Sequence, residues 1–95
     1  MSELIVPPEA LEDENATEVL RAWIAHERVY CVLKPEGFDD AGGWGILLAD
    51  VARHIANGLA EARGLEREES LHRIRELFEA EFDSPTDEPT GHFVN

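Results

Sequence analysis

Asp50 and His54 stand four residues apart in the run DAGGWGILLADVARHIANGLAEAR, residues 40–63. At helical spacing their side chains can meet. A carboxylate so placed can orient an imidazole for proton transfer, and Arg53 adds a cation beside them. The chemistry stops there, because Ser70 and Ser84 lie in neither a G-x-S-x-G context nor another nucleophile signature. Asp50, Arg53 and His54 are therefore a candidate polar site, no residue is assigned as catalytic, and the commoner fate of such a trio is a hydrogen-bond network at a surface or interface.

Metal and phosphate chemistry have less support. His26, His54, His72 and His92 fall in four different segments without H-x3-H or H-E-x-x-H spacing, and Cys31 is the single cysteine. His72 and Glu76 form an i,i+4 pair too small to hold a metal. Gly42, Gly43 and Gly45 precede a helix, as in a phosphate cradle, but they follow Asp39 and Asp40 and lack a P-loop lysine. Two carboxylates would oppose an anion, so the glycines are read as close packing at the start of the helix. No metal and no cofactor is assigned.

The helix that carries the polar trio is the strongest element in the chain. Trp44, Leu47, Leu48, Val51, Ile55 and Leu59 recur at steps of three and four and form one apolar stripe. Asp50, Arg53, His54, Asn57 and Glu61 gather on the other side. Gly45, Ala49, Ala52, Ala56 and Ala60 line the flank between, a strip with little bulk where another backbone could approach. Asp39 or Asp40 offers the N-cap, and Gly64 sits where a left-handed stop is wanted. The glycines of the first turn each cost about 1 kcal/mol of helix propensity, so the helix either recovers that by packing or starts near Trp44.

Two runs of strand formers precede it, Thr17–Ala25 and Val29–Lys34. A two- or four-residue connection puts Leu20, Ala22 and Ile24 on one face with Val29, Cys31 and Leu33, a wholly apolar set. A three-residue connection would set Leu20 against Lys34. The opposite face then holds Val19, Arg21, Trp23, Tyr30, Val32 and Lys34, with Trp23 and Tyr30 as cross-strand neighbours. His26-Glu27 is not an Asn-Gly turn, so the turn type stays open.

After Gly64, Leu65–Phe82 reads as a second amphipathic helix with Leu71, Ile74, Phe78 and Phe82 as its stripe and Leu77 at the margin. Glu69 with Arg73, and Arg75 with Glu79, are i,i+4 pairs. Residues 1–16 read as an irregular arm, with Leu4, Ile5 and Val6 before Pro7-Pro8. Residues 83–95 form an extended tail, read as a strap across the protein's own surface with Phe93 and Val94 to anchor it. The fold class is α+β: one domain over 1–95, with an antiparallel β-hairpin packed against two amphipathic α-helices (ββαα) in residues 17–82 and arms at both ends.

Eight basic residues against 21 acidic ones give a formal charge of −13, which repels phosphate backbones and anionic lipid and so argues against nucleic-acid and membrane partners. Five carboxylates between Glu9 and Glu18 and three between Asp83 and Glu88 read as solvated segments. With one cysteine, no basic leader and no long apolar run, a cytoplasmic location is expected.

The segments TEVLRAWIA, DAGGWGILLADVARHIA and DSPTDEPTG give the chain, over roughly residues 16–91, a pattern that resembles a short bacterial family known as a domain of unknown function. The resemblance implies a small cytoplasmic domain and no particular activity. A hairpin with one helix over one face leaves the Trp23/Tyr30 face, two strand edges and the glycine–alanine flank uncovered. The expectation is a homodimer with Trp23, Tyr30, Gly45, Ala49 and Ala56 as candidate interface residues, open to a further protein partner. The competing expectation is a small-molecule binder or minor enzyme with a pocket between sheet and helices that uses Asp50 and His54.

Overall fold

The computed structural model describes residues 3–86 and 90–93. Its elements are α1 (Pro8–Glu12), β1 (Leu20–Ala25), β2 (Arg28–Leu33), a 3-10 turn (Pro35–Gly37), α2 (Ala41–Arg63), α3 (Arg67–Asp83) and β3 (Thr90–Phe93). The hairpin and the two long helices appear in the expected order, and the fold is α+β. The chain divides into two compact units, one of Met1–Gly37 with Pro89–Asn95 and one of Phe38–Glu88.

In the first unit β1 and β2 pair antiparallel with Leu20 opposite Leu33, Ala22 opposite Cys31, Trp23 opposite Tyr30 and Ile24 opposite Val29. This register has the face parity expected of a two- or four-residue connection. The connection is the two residues His26 and Glu27, both at positive φ, 52° and 63°. Two consecutive left-handed residues make a type I′ turn, whose twist matches that of the strands, here built without glycine. Lys34 N–H donates to the Val19 carbonyl at 3.0 Å and extends the ladder by one rung.

Two features depart from expectation. Part of the tail is a third strand: β3 lies parallel to β2, with Tyr30 opposite Thr90 and Leu33 opposite Phe93. It closes the outer edge of β2 with backbone hydrogen bonds, whereas the Phe93 side chain is 77% exposed and anchors nothing. Val94 lies outside the described residues. The N-terminal arm is not wholly irregular, since Pro8 at the first helical position starts the five-residue α1.

In the second unit α2 begins at Ala41, ahead of the glycines. The Asp40 side chain accepts from Gly42 N–H at 2.8 Å, and Gly64, at φ 68°, ends the helix with its N–H on the Ala60 carbonyl. The Glu66 side chain caps α3 by accepting from the N–H groups of Glu68 and Glu69. Arg67 Nε donates to Asn57 Oδ1 at 2.7 Å and ties the first turn of α3 to α2, against which it packs. Ala56 is the one fully buried hydrophobic residue among those described. Ala52 and Ala60, on the same flank, are half-buried, as is Leu59 at the adjoining edge of the apolar stripe. The strip of small residues is thus where α2 receives α3.

Candidate functional site

Asp50, Arg53 and His54 occupy the middle of α2, and all three are exposed. Periodicity alone puts them on one polar side, and the helix holds them there without further support. Among the described residues no hydrogen bond or ion pair joins them to one another. They form an open, water-facing set of one carboxylate, one guanidinium and one imidazole. Such a set can meet a small charged group but offers it no desolvated pocket.

The start of α2 is more elaborately built. The Phe38 ring meets Trp44 edge-on, with centroids 5.1 Å apart and planes at 75°. Both rings flank the first turn in the manner of a hydrophobic staple. Gly43 makes this arrangement fit, because a Cβ there would lie 2.7 Å from the Phe38 ring. At Gly42 a Cβ would lie 2.6 Å from the capping Asp40 oxygen. The glycines therefore serve a cap and an aromatic clasp, whereas Gly45 has open space around it.

On the hairpin, Trp23 and Tyr30 are directly opposed and half-buried. The Arg21 guanidinium lies 5.4 Å from the centre of the Trp23 ring, a cation–π contact. Arg21 is held in turn by Glu18 at 2.9 Å and Glu3 at 3.2 Å. Sequence reasoning found the aromatic pair but missed this cluster. The signal was available, since residues two apart on a strand share a face and Arg21 precedes Trp23 by two. A shallow hollow beside it is lined by Glu18, Val19, Leu20, Arg21, Val32, Leu33 and Lys34.

Of the other candidate interface residues, Gly45 and Ala49 are exposed and Ala56 is wholly covered within its own chain. Ala56 is therefore unavailable to a partner while this packing stands. Along α3 a second open hollow is lined by Ile74, Leu77, Phe78, Glu81 and Phe82, where Phe78 and Phe82 meet edge-on at 4.9 Å.

Some of the charges on α3 have local partners. Glu76 accepts from Arg73 at 2.6 Å, so the i,i+3 partner takes the place of the expected pairing of Arg73 with Glu69. That hydrogen bond, with the positive charges of Arg73 and His72, holds the Glu76 carboxyl below its ordinary pKa. Glu81 is lowered by hydrogen bonds from the Thr86 hydroxyl and the Thr86 N–H, at 2.5 and 2.9 Å. Among the described residues no group of three His, Cys, Asp or Glu side chains is placed to hold a metal ion. None of the described helices is long and apolar enough to cross a membrane.

A family model described as "Domain of unknown function (DUF5076)" matches residues 3–86. No curated protein matches the chain. Four chains of solved structure do. One is the structure of a protein called a "putative pyruvate dehydrogenase" from the photosynthetic bacterium Rhodopseudomonas palustrus CGA009, 38% identical, with a TM-score of 0.77 over 95% of this chain and 92% of that one.

Proposed function

The chain belongs to the DUF5076 family of domains of unknown function, and on that premise we propose that it serves as a self-associating protein-interaction module of the bacterial cytoplasm. One observation carries this reading. The two long helices bury a single alanine completely, while Leu48, Val51, Ile55, Leu77, Phe78 and Phe82 remain between 40% and 73% exposed. An amphipathic helix gains stability by burying its stripe against another layer, and isolated monomers rarely keep so many large apolar side chains in water. The single cysteine and the bacterial source of the solved relative agree with the location. Sedimentation velocity over a hundredfold range of concentration tests the association: a dimer is expected, and a monomer throughout would remove the reading.

A second reading starts from the name of the solved relative. Arg53 and His54, exposed beside Asp50 on α2, are groups that can meet the carboxylate of a small 2-oxo acid. Calorimetric titration with pyruvate decides it. Heat that vanishes in Arg53→Ala would favour this reading, and no heat would leave the interaction module alone.

A further inference from the structure

The chain leaves its first compact unit at Gly37, builds the second over Phe38–Glu88, and returns to the first only at its end. What it brings back is β3, the strand that closes the outer edge of β2. The backbone groups that β3 meets follow from the hairpin ladder. Lys34 N–H bonds the Val19 carbonyl, so by alternation Arg28, Tyr30 and Val32 also turn their backbone groups toward β1, whereas Val29, Cys31 and Leu33 turn theirs toward β3. The centre of that edge is selective. Gly91 stands opposite Cys31 at a φ of 152°, and a Cβ there would run into the Cys31 carbonyl. A segment that docks on β2 in this register must therefore carry glycine at that position.

We propose that the outer edge of β2 is a strand-docking site and that two copies of the chain associate by exchanging β3 across it. The proposal rests on the self-association reading above and names the element through which it acts. The site and the strand that fits it both lie on this chain, so two copies make the contact reciprocally and close a two-fold dimer. A strand supplied in trans occupies only the space that β3 fills, and it makes the same backbone ladder. β3 is also separable from everything else. It is joined to α3 through residues 84–89 and to β2 by four register pairs, so its transfer to a second copy breaks neither the β1–β2 ladder nor the packing of α2 on α3. The glycine requirement then makes the site choosy, because most extended segments present a side chain where Cys31 admits none.

The test joins sedimentation velocity to the binding of a fluorescein-labelled peptide of residues 84–95. The proteins are the full chain, Gly91→Ala and, as a control with room for a methyl, Gly45→Ala. The parent and the control should dimerise, and Gly91→Ala should raise the dimer dissociation constant at least tenfold. Excess peptide should turn the parent dimer into monomer. The peptide should bind Gly91→Ala at least tenfold more tightly than the parent, whose own strand competes from a high effective concentration. The same peptide with alanine at position 91 should bind neither. Should Gly91→Ala unfold by far-UV circular dichroism, hydrogen exchange of the parent supplies the reading: saturating peptide should slow the Cys31 and Leu33 amides and leave Tyr30 and Val32 unchanged. A parent dimer that neither Gly91→Ala nor the peptide disturbs overturns the exchange but leaves self-association standing. Peptide binding that ignores the glycine, or no binding and no slowing at all, overturns the docking site. A parent chain that stays monomeric overturns both readings.

Discussion

Gly91 stands opposite Cys31 in the parallel pairing of β3 with β2, so close that a Cβ on residue 91 would lie 1.8 Å from the Cys31 carbonyl oxygen. Its φ of 152° is also one that residues with a side chain rarely adopt. Gly91→Ala should therefore detach β3, at a cost of about 1–3 kcal/mol. Hydrogen exchange should quicken at β2 amides and stay unchanged in α2. Unaltered β2 protection would mean that the strand can shift to make room.

Gly43 sets propensity against packing. A helical Gly→Ala change ordinarily adds about 1 kcal/mol, but here the new methyl meets the Phe38 ring. Gly43→Ala should give no such gain in the parent chain and should recover it in a Phe38→Ala background. Urea titration of the four proteins in this cycle measures the coupling. Equal effects of Gly43→Ala in both backgrounds would refute the clasp.

The His26-Glu27 turn holds two residues with side chains in the left-handed region. Replacing them by Asn and Gly, which adopt it readily, should stabilise the hairpin by about 1–2 kcal/mol. A higher thermal midpoint with an unchanged Trp23 environment is the expected outcome. A lower midpoint would show that His26 or Glu27 makes contacts worth more than the backbone strain.

Glu81 gives a pH signature. Its folded-state pKa is held below the ordinary 4.5 by Thr86, so its contribution is fully present above about pH 4.5 and is lost as pH falls through the lower folded value. Carboxyl NMR should show Glu81 titrating below Glu residues without such a clasp, and the Thr86 amide should follow it. In Glu81→Gln the acid-dependent shift at Thr86 should disappear. An ordinary titration of Glu81 in the parent protein would show that the clasp does not hold in solution.

The sequence was most readable where one local rule acts without competition. Face parity excluded the one-residue slip, which would turn Ile24 and Val29 to opposite sides, and so fixed which residues share a face. Gly64 marked the end of α2 because a left-handed glycine has few other uses there, whereas the sequence left the N-cap between Asp39 and Asp40 and the structure uses Asp40. The candidate polar trio was equally legible, since Asp50, Arg53 and His54 need only helical periodicity to share a side. The Arg21–Trp23 contact was within reach of the same alternation rule, which already put both residues on one face, but alternation does not say which neighbours on a face touch.

What the sequence by itself determined was the hairpin and the two long helices, the face parity of the hairpin and the sidedness of α2, since all of these follow from spacing along a single backbone. What only the tertiary structure decided was which surfaces meet. The alanine flank of α2, and not its leucine–valine–isoleucine stripe, receives α3, since small side chains let two helix axes approach closely. A four-residue piece of the tail became a strand because Gly91 lets its backbone reach Cys31. Both outcomes depend on distances between residues far apart in the chain, which no local pattern encodes.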